Sequence, residues 1–355
     1  MSDSRAPRSP LSPPRTRAWH RTLGAVGAAL VVAVAASACS SGTGGIEKSN
    51  LNVGVVDGIG AATFELGVQQ HDFDQNGLTI SVTHYATDAQ AESALQKGTV
   101  DIAFGDYSSF LNVGTTNPVA GKVQVVGEGY DAGENTIGLI TATNSPLLNQ
   151  QLTGTSGVAG NIADGGLSVD VPGMDSPEYL ALANWAILEQ APLNSSSQHV
   201  NAVGSTSDGP TTATAEIAAV EQGGASTAVL QEPYLTQALE TGKVTELANL
   251  DSGNADNMPV SGYFALSSTA KNDPNTMAAF QAGLSEAQAL GGSRLEVEAA
   301  LTAAKVPAQV AATSSIGNYP TAIVQANLSN VLFLMSSANL SVGVQNAATL
   351  TGTAT

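Results

Sequence analysis

Two stretches of this chain, residues 98–111 and 223–235, have the same order of parts and limit the folds that the chain can adopt. Each stretch follows a helical segment, begins at glycine, continues as a β-rich run, and passes through a polar or aromatic turn into another helix. Strands that alternate with helices predict a parallel sheet with right-handed crossovers. The sequence is therefore typical of an α/β protein, and its 355 residues are enough for two lobes.

The turn in the first stretch is a candidate binding element. Residues 100–104 predict a strand, and Gly105 permits a tight turn after it. Asp106, Ser108 and Ser109 are residue types that cap helices. A helix that begins where a strand ends presents N–H groups and hydroxyls at the sheet edge, where open α/β sheets hold small ligands. The alternative is an ordinary capped turn between a strand and a helix.

Other helix starts and irregular segments follow from local signals. Asp88 is expected to cap a helix over 89–97, and Ser176 with Pro177 predicts a helix over 178–189. Residues 154–166 form a Gly-rich passage, and the last 15 residues have the composition of a tail.

The alternation of strands and helices breaks at two places, near residues 135 and 261. A strand over 135–141 has no helix before it, and a strand over 261–267 leads into a helical remainder. We therefore expect two lobes joined by two crossings. The predicted organisation is a signal peptide over 1–38, a flexible tether over 39–50, lobe one from 50–135 and 262–355, and lobe two from 136–261.

The N-terminus is typical of a secreted bacterial protein. Residues 23–38 form an apolar run of 16 residues, which is shorter than the roughly 20 residues that span a membrane. The run ends Ala36-Ser37-Ala38-Cys39 and is followed by Ser and Gly. This resembles a lipobox, in which the cysteine receives lipid, although Ala36 stands where Leu is usual. We expect Cys39 to anchor the chain to the outside of the membrane; the alternative is a plain secretory signal with an incidental cysteine.

The charge of the chain limits its partners. From Cys39 onward, seven Lys and Arg stand against 29 Asp and Glu, a net charge of −22. Such a chain repels nucleic acid, so no nucleic-acid partner is expected. Cys39 is the only cysteine, and the four histidines are scattered, so neither a disulfide nor a metal site is expected.

Catalytic motifs are absent from the sequence. It contains neither a G-x-S-x-G motif nor a Walker A sequence, so neither enzymatic activity nor a cofactor is expected. Tyr107, Tyr130 and Tyr234 lie near predicted strand ends and could form the wall of a small-molecule pocket, with Glu232 as a fixed acceptor.

Four blocks of sequence resemble the type II periplasmic solute-binding proteins of ABC importers, in the group that binds nitrate, taurine, sulfonates and thiamine precursors. The blocks are LQKGTVDIAFGDYSSFL, SVDVPGMDSPEYLAL, STAVLQEPYLTQALETG and PVSGYFALSS, the last followed by a helix over 273–289. The resemblance covers roughly residues 50–340 and implies a two-lobed α/β fold with a ligand cleft between the lobes. The chain departs from the family pattern between Leu152 and Ser168.

The resemblance also implies where a ligand would bind and which partners would be needed. The family's binding positions fall on the turn from Asp57 to Gly60, on Asp106, Tyr107, Ser108 and Ser109, on Asp175 and Ser176, and on Glu232 to Tyr234. The ABC permease and ATPase would be separate chains, and the binding protein is expected to be a monomer that closes on its solute about a hinge.

The function classes are separated by simple features. The first is a solute-binding lipoprotein of an importer. The second is a pyrimidine-synthase-like enzyme of the same fold, which would be expected to lack a secretion signal and to carry His or Cys chemistry. The third is the ligand-binding component of a sensor. Arg294 is the only arginine after Cys39, so an arginine clamp for nitrate or a sulfonate is not expected, and the solute itself stays open.

Overall fold

The computed structural model describes residues 45–113, 117–154, 156–194, 197, 199–204, 210–344 and 346–352. The predicted signal peptide over 1–38 and the lipidation site Cys39 lie outside the described residues. The described residues belong to one compact unit. Among them, no helix combines the length and the apolar composition that crossing a lipid bilayer requires.

Strands and helices alternate through the first two thirds of the described chain, and helices dominate after residue 266. The strands are β1 (Asn50–Val56), β2 (Thr79–Tyr85), β3 (Ile102–Asp106), β4 (Val123–Asp131), β5 (Ile137–Ala142), β6 (Val169–Val171), β7 (Val200–Ala202), β8 (Thr227–Gln231), β9 (Val244–Asn249) and β10 (Pro259–Leu266). The helices are α1 (Ala62–Gln70), α2 (Asp88–Lys97), α3 (Tyr107–Leu111), α4 (Val158–Ala163), α5 (Pro177–Leu188), α6 (Pro210–Gln222), α7 (Tyr234–Glu240), α8 (Ser267–Asn272), α9 (Pro274–Ala289), α10 (Arg294–Ala303), α11 (Ala308–Thr313), α12 (Gln325–Ser337) and α13 (Ala347–Leu350).

The described strands form two sheets of five strands each. The first has the order β2-β1-β3-β10-β4 and the second has the order β7-β6-β8-β5-β9. In the first sheet β1 is parallel to β2 and β3, whereas β10 is antiparallel to β3 and β4. In the second sheet β6 is parallel to β7 and β8, whereas β5 is antiparallel to β8 and β9.

Both sheets are therefore mixed. The expectation of parallel pairing holds for β1, β2 and β3 and for β6, β7 and β8, and it was wrong for β5 and β10, which are antiparallel to their neighbours. The reason lies in the two crossings, the segments 132–136 and 250–258, where the chain passes from one sheet to the other. Strands β5 and β10 each follow a segment that arrives from the other sheet, without the crossover helix that would make them parallel to their neighbours. The two sheets use the chain segments 50–131 with 259–266, and 137–249. Lobe edges at residues 135 and 261 stay a prediction.

One helix start was predicted correctly and another was not. The Ser176 Oγ accepts a hydrogen bond from the Tyr179 N–H at 3.2 Å and Pro177 is the first helical residue, so the start of α5 is confirmed. Asp88 was wrong as the cap of α2, because it lies in the first turn and Thr87 Oγ1 accepts from the Gln90 N–H.

Three described elements have no clear signal in the sequence. The Gly-rich passage contains α4, strand β9 follows α7, and the expected tail contains α13, whose cap is Asn346. All three are short, so their hydrophobic pattern is too brief to be recognised, and packing on neighbouring elements stabilises them. Strand β3 also begins at Ile102 rather than at residue 100.

A cluster of aromatic side chains packs α1 and α9 against the first sheet. The Tyr263 ring of β10 lies 5.3 Å from the Phe64 ring of α1 and 5.6 Å from the Phe280 ring of α9, measured between centroids. All three rings are fully buried. Because α1 is held in this way, the turn that connects it to β1 occupies a fixed place at the end of the sheet.

The two crossings between the sheets are joined to each other. Asp251, after β9, accepts hydrogen bonds from the backbone N–H groups of Thr136 at 2.5 Å and Ile137 at 2.8 Å. The Asn249 Nδ2 also donates to the Asn135 Oδ1 at 2.6 Å. These bonds hold the segment that enters β5 against the segment that leaves β9, at one end of the second sheet.

Candidate functional site

A cavity of about 40 Å³ lies where strand ends of the first sheet face strand ends of the second. By volume it holds a few water molecules. The first-sheet side consists of residues 56–60 at the end of β1, 104–106 at the end of β3, and 260–261 in β10. The second-sheet side consists of Gln231 and Glu232 at the end of β8, Tyr234 of α7 and Glu178 of α5. The carboxyl ends of strands are where α/β proteins bind ligands.

On the first-sheet side, close packing fixes the backbone of the turn after β1. A Cβ on Gly60 would lie 2.6 Å from the Ser261 Oγ and 2.9 Å from the Phe104 ring, so only glycine fits. The Ile59 carbonyl accepts a hydrogen bond from the Tyr319 hydroxyl at 2.7 Å. Asp57 lies at the outer edge of the same turn, where its Oδ1 is 2.6 Å from the His84 Nδ1.

Asp106 and Ser261 lie side by side at the end of the first sheet, because they are paired residues of the antiparallel strands β3 and β10. The Asp106 N–H donates to the Asp88 Oδ1 at 3.1 Å. The Ser261 hydroxyl is buried, with 3% of the residue exposed, and its oxygen has no hydrogen-bond partner. This side of the cavity therefore holds a carboxyl group and a free hydroxyl.

On the opposite side, Glu232 is fixed by several donors. Its Oε1 accepts from the Thr236 hydroxyl at 2.7 Å and from the Ser315 N–H at 3.0 Å, and its Oε2 accepts from the Thr236 N–H at 3.1 Å. Tyr234 is half-buried beside it. The Glu178 residue is only 1% exposed, and its Oε2 has no partner.

Three carboxyl groups of the site, those of Asp106, Glu178 and Glu232, have raised pKa values. Burial, then the nearby carboxylates of Asp88 and Glu178, raises the pKa of Asp106 well above its usual value. Burial raises the pKa of Glu178 to about 7, against the lowering effect of hydrogen bonds from its own backbone and from Ser176. Burial also raises the pKa of Glu232, while donors from Thr236 and Ser315 oppose it. The cavity lining is thus rich in carboxyl groups, and its described residues include no cationic side chain that would lower their pKa values.

Of the ten residues predicted to bind ligand, four line this cavity: Asp57, Asp106, Glu232 and Tyr234. They come from both sheets, so the structure brings together the two turns that the sequence singled out. Whether they touch a solute stays a prediction, which is taken up below.

Three of the other predicted residues belong to α3 and are turned into the core. The Tyr107 ring packs edge-on against the Phe264 ring at 5.4 Å, over Gly262, where a Cβ would lie 2.6 Å from the Tyr107 ring. Ser108 is 1% exposed, and the Ser109 hydroxyl donates to the Glu92 Oε1 at 2.8 Å. Asp106 is the N-cap residue of α3 but makes no side-chain cap bond to it, contrary to the expectation for this residue.

The remaining three predicted residues also lie outside the cavity lining. The Tyr130 hydroxyl accepts from the Gly317 N–H at 2.8 Å, and its ring packs on the Tyr319 ring at 5.2 Å. Ser176 is fully buried as the cap of α5, and Asp175, just before it, is 7% exposed. These residues support the walls of the cavity.

Sequence reasoning missed Glu178 and Ser261. Glu178 is the second residue of α5, directly after the Ser176-Pro177 start signal, and that place could have suggested a side chain at a ligand-facing helix end. Ser261 is a lone hydroxyl in the apolar strand PVSGYFAL. A polar side chain within a buried strand is a signal that needs an explanation.

One group of side chains among the described residues has the spacing of metal ligands. The possible ligand atoms of Asp57, Glu65 and His84 lie within 4.8 Å of one another. Asp57 and His84 are exposed, and their contact is a surface pair of imidazole and carboxylate. We assign no metal to this group, because exposed acidic groups occur commonly without one.

Neither a protein-family model nor a curated protein sequence matches this chain. Solved structures do match it. The ligand-binding component of an ABC-type import system from Staphylococcus aureus, with zinc bound, is 14% identical, with a TM-score of 0.63 over 87% of this chain and 99% of that chain. The periplasmic aliphatic sulphonate binding protein of Escherichia coli is 19% identical, with a TM-score of 0.59 over 82% and 91%.

A third similar structure is the periplasmic nitrate-binding protein of Synechocystis. It is 14% identical, with a TM-score of 0.61 over 82% of this chain and 81% of that chain. At these identities the likeness establishes the fold. The chain has the α/β fold of periplasmic binding proteins, as the sequence predicted.

Proposed function

We propose that this chain is the extracytoplasmic solute-binding component of an ABC importer and that it captures a small organic solute in the cavity between its two sheets. The observation that carries the proposal is the cavity itself. Strand ends from both sheets line it, so a bound solute would touch both halves of the fold and favour the closed arrangement. The similar structures include a sulphonate-binding protein, a nitrate-binding protein and the ligand-binding component of an import system with zinc bound.

We propose direct solute contacts for Asp57, Asp106, Glu232 and Tyr234. The first two end strands of the first sheet, and the last two follow a strand of the second. Because the cavity is only about 40 Å³, entry of an organic solute requires the halves to separate before they close. An enzymatic role is not proposed, since the cavity lining contains neither His nor Cys among the described residues.

The test is a binding screen on the full-length protein. Nitrate, ethanesulfonate, taurine, zinc chloride and a set of small organic cations would each be added while the unfolding midpoint is followed. A solute at 100 times its Kd should stabilise the fold by about 2.7 kcal/mol. Small-angle scattering with that solute should show a smaller radius of gyration. A screen without any shift, or binding without compaction, would contradict the proposal.

Tyr234→Ala should weaken any solute that the screen identifies, whereas Leu295→Ala is the control. Leu295 lies at a surface position that is 78% exposed, and it is not part of the cavity lining. Equal binding by both variants would remove Tyr234 from the site.

The location outside the cytoplasm, on a lipid anchor at Cys39, is part of the same proposal. Its basis is the apolar run that ends Ala36-Ser37-Ala38-Cys39. Cys39→Ala should release the chain from the membrane fraction or leave it unprocessed, and Ser40→Ala should behave as the parent. A Cys39→Ala protein that fractionates and migrates as the parent does would contradict the anchor.

A further inference from the structure

We infer that the solute is an organic cation, and that Asp106, Glu178 and Ser261 hold its ammonium group. The inference rests on the proposed function, because it names the chemical class of the solute for the same cavity. It follows from the acidic side chains that line the cavity and from two buried polar atoms that have no hydrogen-bond partner among the described residues.

The described ionisable side chains that line the cavity are acids, with no basic group among them. Four carboxyl groups line it, those of Asp57, Asp106, Glu178 and Glu232, and none of the described lining residues is Lys, Arg or His. A bound anion would find no cationic side chain in this lining to offset the cost of burying its charge, whereas a cation would be stabilised by ionisation of the carboxyl groups. Arg294, the only arginine in the described residues, donates to Glu298 and to the carbonyls of Ala311, Ala312 and Ser314.

Two polar atoms are the independent sign of a ligand. The Ser261 Oγ and the Glu178 Oε2 are both buried without a hydrogen-bond partner, in residues that are 3% and 1% exposed. Both residues line the cavity. Buried polar atoms are normally satisfied, so these two mark hydrogen-bonding capacity that a ligand would use.

An ammonium group matches this set of acceptors. It carries three N–H donors and one positive charge, and the cavity offers a carboxyl at Asp106, a carboxyl oxygen at Glu178 and a hydroxyl at Ser261. Strand pairing places Ser261 beside Asp106, and Glu178 is near enough to raise the pKa of Asp106. The cavity of about 40 Å³ fits a head group better than a whole solute.

The surroundings of Glu178 also predict how the binding depends on pH. The titratable groups around it are acids: Asp57, Asp88, Asp106, Asp175 and Glu232. Its pKa of about 7 means that it is partly protonated at neutral pH. A cation binds the deprotonated form, so binding should release a proton and become tighter by about tenfold between pH 6 and pH 8.

The experiment uses probes that differ in charge and share one length. 1,4-Diaminobutane, 1,4-butanediol and succinate have the same four-carbon chain, and choline with 2-hydroxyethanesulfonate forms a second matched pair. Each would be titrated calorimetrically into the full-length protein at pH 6, 7 and 8. The cations should bind, and the neutral and anionic probes should not. The amines of the diamine stay protonated over this range.

Three variants locate the binding. Glu178→Gln should weaken cation binding by about 10- to 100-fold and remove most of its pH dependence, and Ser261→Ala should weaken it by about 3- to 10-fold. Glu128→Gln is the matched control. Glu128 is also 1% exposed with its pKa raised to about 7 by burial, but it lines a different cavity. Its substitution should leave cation binding unchanged.

Three results would overturn the inference. Tighter binding of succinate or 1,4-butanediol than of the diamine would contradict the cation while leaving solute capture intact. Cation binding that both Glu178→Gln and Ser261→Ala leave unchanged would place the cation elsewhere. If none of the cations binds, the inference is contradicted. If no probe and no solute of the wider screen binds, the proposed function is contradicted as well.

Discussion

The turn after β3 and the turn after β8 look alike in sequence and differ in structure. After β3, the chain enters α3 at once, and Tyr107, Ser108 and Ser109 are buried, so that only Asp106 reaches the cavity. After β8, Glu232 and Pro233 precede α7, and Gln231, Glu232 and Tyr234 all line the cavity. The side chains that follow the first turn are mainly packed in the core, and three residues of the second turn line the cavity.

The space behind a turn decides which of its side chains reach the cavity. Behind the first turn, Gly262 on β10 leaves room for the Tyr107 ring, and Glu92 of α2 accepts the Ser109 hydroxyl. Behind the second, Leu235 fills the core, and Glu232 is fixed by donors at its own turn. The same polar composition therefore contributes to the core in one place and to the cavity lining in the other.

The largest expected effect is a difference in stability between alanine variants of the two tyrosines, Tyr107 and Tyr234. Tyr107→Ala should lower the free energy of unfolding by about 3–5 kcal/mol, because it removes a fully buried ring from the Phe264 and Gly262 contact. Tyr234→Ala should cost about 1 kcal/mol or less, because the side chain is only half-buried. Urea unfolding of both variants measures the difference.

Tyr107→Phe is the control for the ring itself. The Tyr107 hydroxyl is buried without a partner, so its removal should leave stability unchanged or slightly raised. Equal losses for Tyr107→Ala and Tyr234→Ala would show that the two turns do not differ in the way described.

The second effect is the pH dependence of stability that arises from the buried carboxyl group at each turn, Glu92 at the first and Glu232 at the second. Burial raises the pKa of Glu92 from 4.5 to about 8, partly opposed by the Ser109 hydrogen bond. The folded state therefore holds a proton that the unfolded state loses. This stability is fully present below about pH 4.5 and is lost as pH rises toward 8, by up to about 1.4 kcal/mol per pH unit.

Glu92→Gln should flatten the fall of stability between pH 5 and pH 8, as measured by urea unfolding at each pH. Glu232→Gln should flatten it less, because backbone and hydroxyl donors oppose the rise of the Glu232 pKa. A larger flattening by Glu232→Gln would reverse the comparison.

The third effect is the loss of stability when the hydroxyl donor to each carboxyl group is removed. Ser109→Ala should cost about 1–2 kcal/mol of stability, since the Glu92 Oε1 loses the hydroxyl that bonds it at 2.8 Å. Thr236→Val should cost about 1 kcal/mol or less, because Glu232 keeps the N–H groups of Thr236 and Ser315. Thermal unfolding of both proteins is sufficient, and a greater loss in Thr236→Val would contradict the ranking.

Much of the fold could be predicted from the sequence, because its long periodic elements and the Ser176-Pro177 signal are local features. The antiparallel placement of β5 and β10 could not, since it depends on where the crossings lead. The same limit applies to the site. Asp57, Asp106, Glu232 and Tyr234 lie where strand ends place them, whereas the inward turn of Ser109 depends on Glu92, which is distant in sequence and near in space.

The most direct test of the account is calorimetric titration of the solute with the largest thermal shift into Asp106→Asn and Glu232→Gln, with Ser109→Ala as reference. The account predicts that each of the first two variants weakens binding by about tenfold or more, because one solute contacts both turns. Ser109→Ala should bind as the parent does. Parent-like affinity in either Asp106→Asn or Glu232→Gln would contradict a solute held between the two sheets.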